Sequence, residues 1–128
     1  VEVVKPPTVA AQEDTSRIFD EAIDAVVDAY HKLLDAGVPA EDARYLLPNA
    51  AETKIVITMN IRELLHFLSL RCCNRAQWEI RELANRMLEL VRPTAPYIFM
   101  DAGAPCVRGA CPEGKMTCGN PYPKVVRE

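Results

Sequence analysis

The sequence predicts an α+β fold, mainly helical, with helices packed around one short strand. Three observations predict it. Two long stretches carry apolar residues at helical spacing, one short run is dominated by β-branched residues, and stop and start residues separate these segments. The 128 residues suffice for one domain with one core.

The elements follow in order. Pro6 and Pro7 make residues 1–12 an extended lead-in segment. Asp14 or Thr15 can cap a helix running to about Ala36, where Gly37 supplies a left-handed stop. Phe19, Ile23, Val26, Tyr30, Leu33 and Leu34 form its apolar face. Pro39 suits the first turn of a short second helix ending near Leu46, closed by Pro48. The run Thr53 to Met59 alternates Ile55, Ile57 and Met59 with Lys54, Val56 and Thr58, and reads as a strand. Asn60 and Glu63 have capping-box spacing, so a helix starts at Ile61 and runs to about Cys72. Another begins near Arg75, with Ala76, Ile80, Leu83, Ala84, Met87, Leu88 and Val91 as its stripe, and ends before Pro93. The expected organisation is a lead-in (1–12), a helical portion (13–99) and a Cys/Gly/Pro-rich tail without regular structure (100–128).

Composition excludes some functions. Nearly half the residues are apolar and about a quarter charged, as in soluble globular proteins. A net charge of -3 gives no electrostatic case for nucleic acid or an anionic membrane. No apolar run approaches the roughly 20 residues needed to span a bilayer, and no signal-peptide pattern opens the chain. A cytoplasmic protein is expected. The chain opens on Val1 rather than methionine, so it is expected to be trimmed or part of something longer.

Chemistry-bearing residues concentrate in three stretches: Ala-Arg-Tyr-Leu-Leu-Pro (43–48), Asn-Ile-Arg-Glu-Leu-Leu-His-Phe (60–67), and Leu70-Arg71 followed by Ala-Gln-Trp-Glu-Ile (76–80). Arg62 and His66 lie four residues apart and share a helix face, whereas Arg71 is about half a turn out of phase with Arg62. Spacing alone favours a plain reading, with solvated arginines and a core histidine. The three stretches, in this order, resemble the C-terminal half of flavin-dependent thymidylate synthases, whose pattern is Ala-Arg-x-x-Leu-Pro, Asn-x-Arg-x-Leu-x-His-Phe-x-x-Leu-Arg and Ala-Gln-x-Glu-Ile. The likeness is strongest from Glu41 to Ala84, fair from Thr15 to Gly37 and weak beyond Phe99. The family's upstream Arg-His-Arg motif is not in this chain, and Val1 to Pro7 look like the segment that follows it.

The resemblance implies a partial flavin-dependent thymidylate synthase-like fold. It also implies reductive methylation of dUMP to dTMP, with methylenetetrahydrofolate as one-carbon donor and NADPH-reduced FAD as hydride source. Asn60, Arg62 and His66 match FAD-binding positions. Arg44 matches a dUMP-binding arginine, and Arg71 matches the arginine that contacts the uracil ring and helps activate it. A homotetramer with active sites built between subunits is implied, and these five residues are expected to line one cleft or subunit interface. The 128 residues alone are expected to be inactive. The alternative is a non-catalytic helical oligomerisation module that binds nucleotide, flavin or metal.

Cys72 and Cys73 read as small buried residues, because neighbouring helix positions point about 100° apart and suit no vicinal disulfide. No metal site is expected. Cys106, Cys111 and Cys118 are weak candidates, since the tail offers only three cysteines and no histidine, and a disulfide or free thiols are favoured over a metal.

Overall fold

Regular structure in the described residues, 1–125 of a computed structural model, is almost wholly helical. The chain separates into two units, Val1–Val56 and Ile57–Glu128.

In the first unit, Pro6 is extended but Pro7 opens a one-turn helix, α1 (Pro7–Ala10), so the lead-in is not extended throughout. A proline at the first helical position loses no hydrogen bond there. The long helix α2 (Glu13–Asp35) follows, one residue earlier than its nearest expected cap. Gln12 precedes it without a side-chain cap, and the Thr15 hydroxyl instead donates to the carbonyls of Val9 and Gln12 at 2.7 and 3.0 Å. Gly37 stops the helix at φ +83°, a left-handed geometry that costs glycine little. The face from Phe19 to Leu34 is half-buried as its periodicity predicts. Lys5 fastens the lead-in to α2: its ammonium donates to Ser16 Oγ at 2.7 Å, pairs with Asp20 at 2.6 Å and lies 5.6 Å from the Phe19 ring centre. A short helix, α3 (Ala40–Ala43), runs into a 3₁₀ turn, Arg44–Leu46, and Ala43 is fully buried.

The expected strand does not form. Among the described residues, the β pairing is a single antiparallel bridge, Val3 to Ala51, and residues 52–60 carry no regular structure. Ile55, Val56 and Ile57 are 76%, 98% and 61% exposed. β-Branched composition expresses a fit to a pleated, half-buried surface, and a strand also needs a neighbouring edge to pair with. No such edge is offered within the described residues.

The second unit is built on α4 (Ile61–Arg71) and α5 (Trp78–Val91). Asn60 caps α4, its Oδ1 accepting the Glu63 N–H at 2.9 Å. Gln77 caps α5, its Oε1 accepting the N–H groups of Glu79 and Ile80 at 2.9 and 3.1 Å. The residues from 72 to 77 make the turn between the helices, so α5 begins three residues later than expected. Leu68 and Cys72 on one side meet Ala84 and Leu88 on the other, while Leu83, expected in the same stripe, is 53% exposed.

This pair is closed by residues 96–104, of which those from Met100 onward were expected to be loop. A one-turn helix, α6 (Pro96–Phe99), delivers Phe99 to the core, and the following residues bury Ala102 and Ala104. Gly103 sits at φ +125°, and a Cβ there would stand 3.5 Å from Leu88 Cδ2, so the chain passes close over α5. Two 3₁₀ turns, Pro105–Val107 and Gly114–Met116, complete the regular structure of the tail. Among the described residues, no helix is long and apolar enough to cross a membrane.

Leu68 is the largest fully buried side chain. Leu68→Ala is therefore expected to destabilise the unit by about 2–5 kcal/mol, read from denaturant unfolding. A loss below about 1 kcal/mol would show that the α4–α5 contact is not the organising core.

Candidate functional site

Four of the five expected site residues sit on or beside α4. Asn60 holds the cap position, with Arg62 in the first turn, His66 one turn further on, and Arg71 at the last position. Their exposure follows from helix phase. Leu64, Leu65, Leu68 and Cys72 take the core side, so Arg62 and His66 fall together on the exposed side. His66 is thus not a core histidine. Arg71, half a turn away from Arg62, is also exposed and lines a cleft of about 240 Å³ between the α4–α5 turn and the tail. Arg44 lies in the first unit, exposed in the 3₁₀ turn after α3. The structure therefore brings Arg62 and His66 together and sets Arg71 apart on the cleft.

The arginines fall into two groups. Arg17 binds Asp14 and Glu21, Arg75 binds Glu113, Arg86 binds Glu82, and Arg81 and Arg108 donate to the carbonyls of Asn74 and Asp101. Among the described residues, the side chains of Arg44, Arg62 and Arg71 make neither an ion pair nor a hydrogen bond. Arg92 makes none either, but it lies close to Cys72. An arginine spends its five donors readily when a carboxylate is near, so three exposed and unengaged guanidiniums are free to take anionic ligands. The start of α4 adds to this. Asn60 occupies the Glu63 N–H, while the N–H groups of Ile61 and Arg62 precede the helical ladder and point outward with the positive end of the helix dipole. A helix start flanked by a free guanidinium fits an anionic group such as a pyrophosphate.

The cleft beside Arg71 holds what sequence reasoning missed. Cys73 is half-buried and faces the same cleft as Cys106, Cys111 and Cys118, whereas Cys72 is only 2% exposed and packs in the core. Burial raises the Cys72 thiol above its usual pKa, and the nearby Arg92 charge offsets part of that. Reading the two cysteines alike failed because α4 ends at Arg71, so Cys73 belongs to the turn and not to the helical stripe. All five thiols are free. Asn74 ties the turn to the tail: its amide donates to the Asn120 carbonyl at 2.9 Å, and its carbonyl accepts the Tyr122 hydroxyl at 2.8 Å. The Arg75–Glu113 pair at 3.0 Å is a second tie.

With this geometry in hand, relatives become informative. A family model described as thymidylate synthase complementing protein matches residues 1–97. The chain is 62% identical over 116 residues to the flavin-dependent thymidylate synthase of Geobacter sulfurreducens, covering 91% of this chain and 50% of that protein. It is 45% identical over 130 aligned positions to the enzyme of the same name from Clostridium tetani, covering 89% and 52%. For the one from Nitratidesulfovibrio vulgaris the identity is 48% over 130 positions, covering 94% and 53%. The chain spans about half the length of these curated relatives.

The Asn60 cap and any ligand role of Asn60 are separable. Asn60→Ala is expected to cost about 1 kcal/mol, while Asn60→Asp, which keeps an acceptor for the Glu63 N–H, is expected to melt near the parent temperature. Equal melting of all three proteins would mean that the cap contributes nothing.

Proposed function

Because the chain belongs to the thymidylate synthase complementing protein family, we propose that it forms the C-terminal part of a flavin-dependent thymidylate synthase. The reaction is the reductive methylation of dUMP to dTMP, with methylenetetrahydrofolate as one-carbon donor and NADPH as the reductant of FAD. The observation that supports this best is the set of unengaged guanidiniums. Arg44, Arg62 and Arg71 all fall on ligand-contacting positions of the family pattern, and all three lack an ion-pair partner among the described residues.

Each residue has a physical task in that reading. Arg62, His66 and the free N–H groups at the start of α4 hold the flavin's anionic end. Arg44 binds the nucleotide. Methylating carbon 5 of uracil requires electron density at that carbon, and a permanent positive charge on the ring edge stabilises the negative charge that accompanies it. The Arg71 guanidinium supplies that charge in a planar fork and needs no proton transfer to do so. FAD, when bound and reduced, supplies the hydride that completes the methyl group. No thiol is required for activation in this reading. The assembly we propose is a homotetramer in the cytoplasm with sites shared between subunits, which supplies a partner surface for the exposed side of α4.

Arg71→Lys keeps the charge and removes the fork. In the complete protein carrying this chain, dTMP formation is expected to fall by about 10²- to 10³-fold, while flavin absorbance and melting temperature stay near normal. Activity within a few-fold of the parent would return Arg71 to the solvated surface.

A second expectation concerns the chain by itself. Its relatives are about twice its length, and the family resemblance assigns a further motif to the upstream half. FAD titrated into the 128 residues alone is expected to bind weakly or not at all by flavin fluorescence. Tight stoichiometric binding would show that Asn60, Arg62 and His66 form a sufficient flavin site.

A further inference from the structure

Residues 53–59 form an edge with nothing on it. They lie between the antiparallel bridge at Ala51 and the Asn60 cap of α4, and carry no regular structure. Among the described residues, their main-chain N–H and C=O groups make no hydrogen bond. Three consecutive β-branched residues, Ile55, Val56 and Ile57, are exposed along this open backbone. An apolar run with unpaired main-chain groups is a template for an added strand, and a folded protein must cover it.

The bridge fixes the direction and register of such a strand. The Glu52 N–H donates to the Glu2 carbonyl and the Val4 N–H to the Ala50 carbonyl, each at 2.8 Å. Val3 and Ala51 are therefore a non-hydrogen-bonded antiparallel pair. Each step back from Val3 is a step forward from Ala51, so Val1 faces Thr53 and the chain before Val1 faces Lys54 and onward. In the other direction the register sets Pro6 against Pro48. Neither has an N–H to give, so the ladder grows only upstream. Lys5, bonded to Ser16 and Asp20, steadies the lead-in on which Val3 sits.

We propose that residues 53–59 are the docking edge for the segment of this same chain that directly precedes Val1, which adds to it as an antiparallel strand. The proposal rests on the reading of these residues as the C-terminal part of a longer protein, whose relatives are about twice this length. In this register the first, third and fifth residues before Val1 exchange main-chain bonds with Lys54, Val56 and Thr58. The second and fourth lie across from Ile55 and Ile57 and pack beside them. A strand from a second copy competes at a disadvantage, because the upstream segment is tethered next to Thr53 and its effective concentration there is high. The edge ends at Met59, and Asn60 opens α4. An upstream strand thus reaches the start of α4 with its fifth and sixth residues, and brings the missing half of the protein to the helix end that carries Asn60 and Arg62.

The test is disulfide trapping in the complete protein carrying this chain. Ile55→Cys, combined with a cysteine at the second residue before Val1, puts two thiols on a non-hydrogen-bonded pair. Cα atoms of such a pair stand about 4.5 Å apart, within disulfide reach. After mild oxidation, mass spectrometry is expected to find the two introduced thiols joined within one chain. Moving the upstream cysteine by one residue turns its side chain to the other face, and joining should fall at least about tenfold. Should the double variant fail to fold, hydrogen exchange on the complete parent serves. The amides of Lys54, Val56 and Thr58 are expected to exchange at least about 100-fold slower than in an unstructured chain. Exchange at the unstructured rate overturns the proposal, as does a folded double variant that stays reduced. Joining between two chains of the Ile55→Cys single variant assigns the edge to a second copy and overturns it too. Neither readout uses catalysis: a protein that forms dTMP with an open edge loses the pairing alone, and one that pairs without forming dTMP loses the reaction alone.

Discussion

The packing of α4 on α5 through Leu68, Cys72, Ala84 and Leu88 is the contact on which the second unit depends. It uses small residues, and that choice has a consequence. Alanine and cysteine let the backbones approach closely but bury little apolar area, so two helices of 11 and 14 residues cannot shield their own seam. Phe99 supplies the missing bulk, and Ala102, Gly103 and Ala104 let the chain lie directly over Leu88. The tail belongs to the core. It is not an appendage to it.

The same helix phase that buries Leu64, Leu68 and Cys72 decides where the chemistry goes. On α4, positions four apart share a face, so committing one side to the core throws Arg62 and His66 outward together. Arg71 escapes that face because nine residues is two and a half turns. It is also the last helical residue, where the chain bends away and leaves its side chain on the lip of the cleft. One short helix thus presents its polar groups in two directions.

Local signals in the sequence were read well, and signals that depend on distant partners were not. The cap at Asn60, the stop at Gly37 and the end of α5 before Pro93 are written within a few residues of the feature they control, whereas the starts of α2 and α5, at Gln12 and Gln77, were not anticipated. Thr53 to Met59 has strand composition, but a strand is a property of two segments, and composition cannot supply the second. The tail misled in the opposite sense. Glycine and proline there do mark irregular backbone, yet they say nothing about burial, and Ala102 and Ala104 are among the most buried residues. Within the candidate site, Arg44, Arg62 and Arg71 were legible only through resemblance, since an arginine's spacing does not reveal whether a carboxylate waits nearby. The structure adds that none does among the described residues. The place of Cys73 in the cleft was missed because the cysteines it shares the cleft with lie more than thirty positions away.

The division of the arginines connects these points. Arg75, Arg81 and Arg108 spend their donors on the turn and the tail, and Asn74 adds bonds to Asn120 and Tyr122. The bonds of Asn74, Arg75 and Arg81 brace the turn that begins directly after Arg71, so the end of α4 is held from beyond the helix as well as from within it. A guanidinium that stabilises developing charge must already be in place, because reorganising it during the reaction would forfeit much of the gain. Exposed ion pairs such as Arg75–Glu113 contribute little singly, about 0–1 kcal/mol. A turn tied at Asn74, Arg75 and Arg81 to fixed partners nevertheless has few alternative conformations to visit. On this reading the tail matters to Arg71 through the restraint it places on the turn, more than through the energy of any one tie.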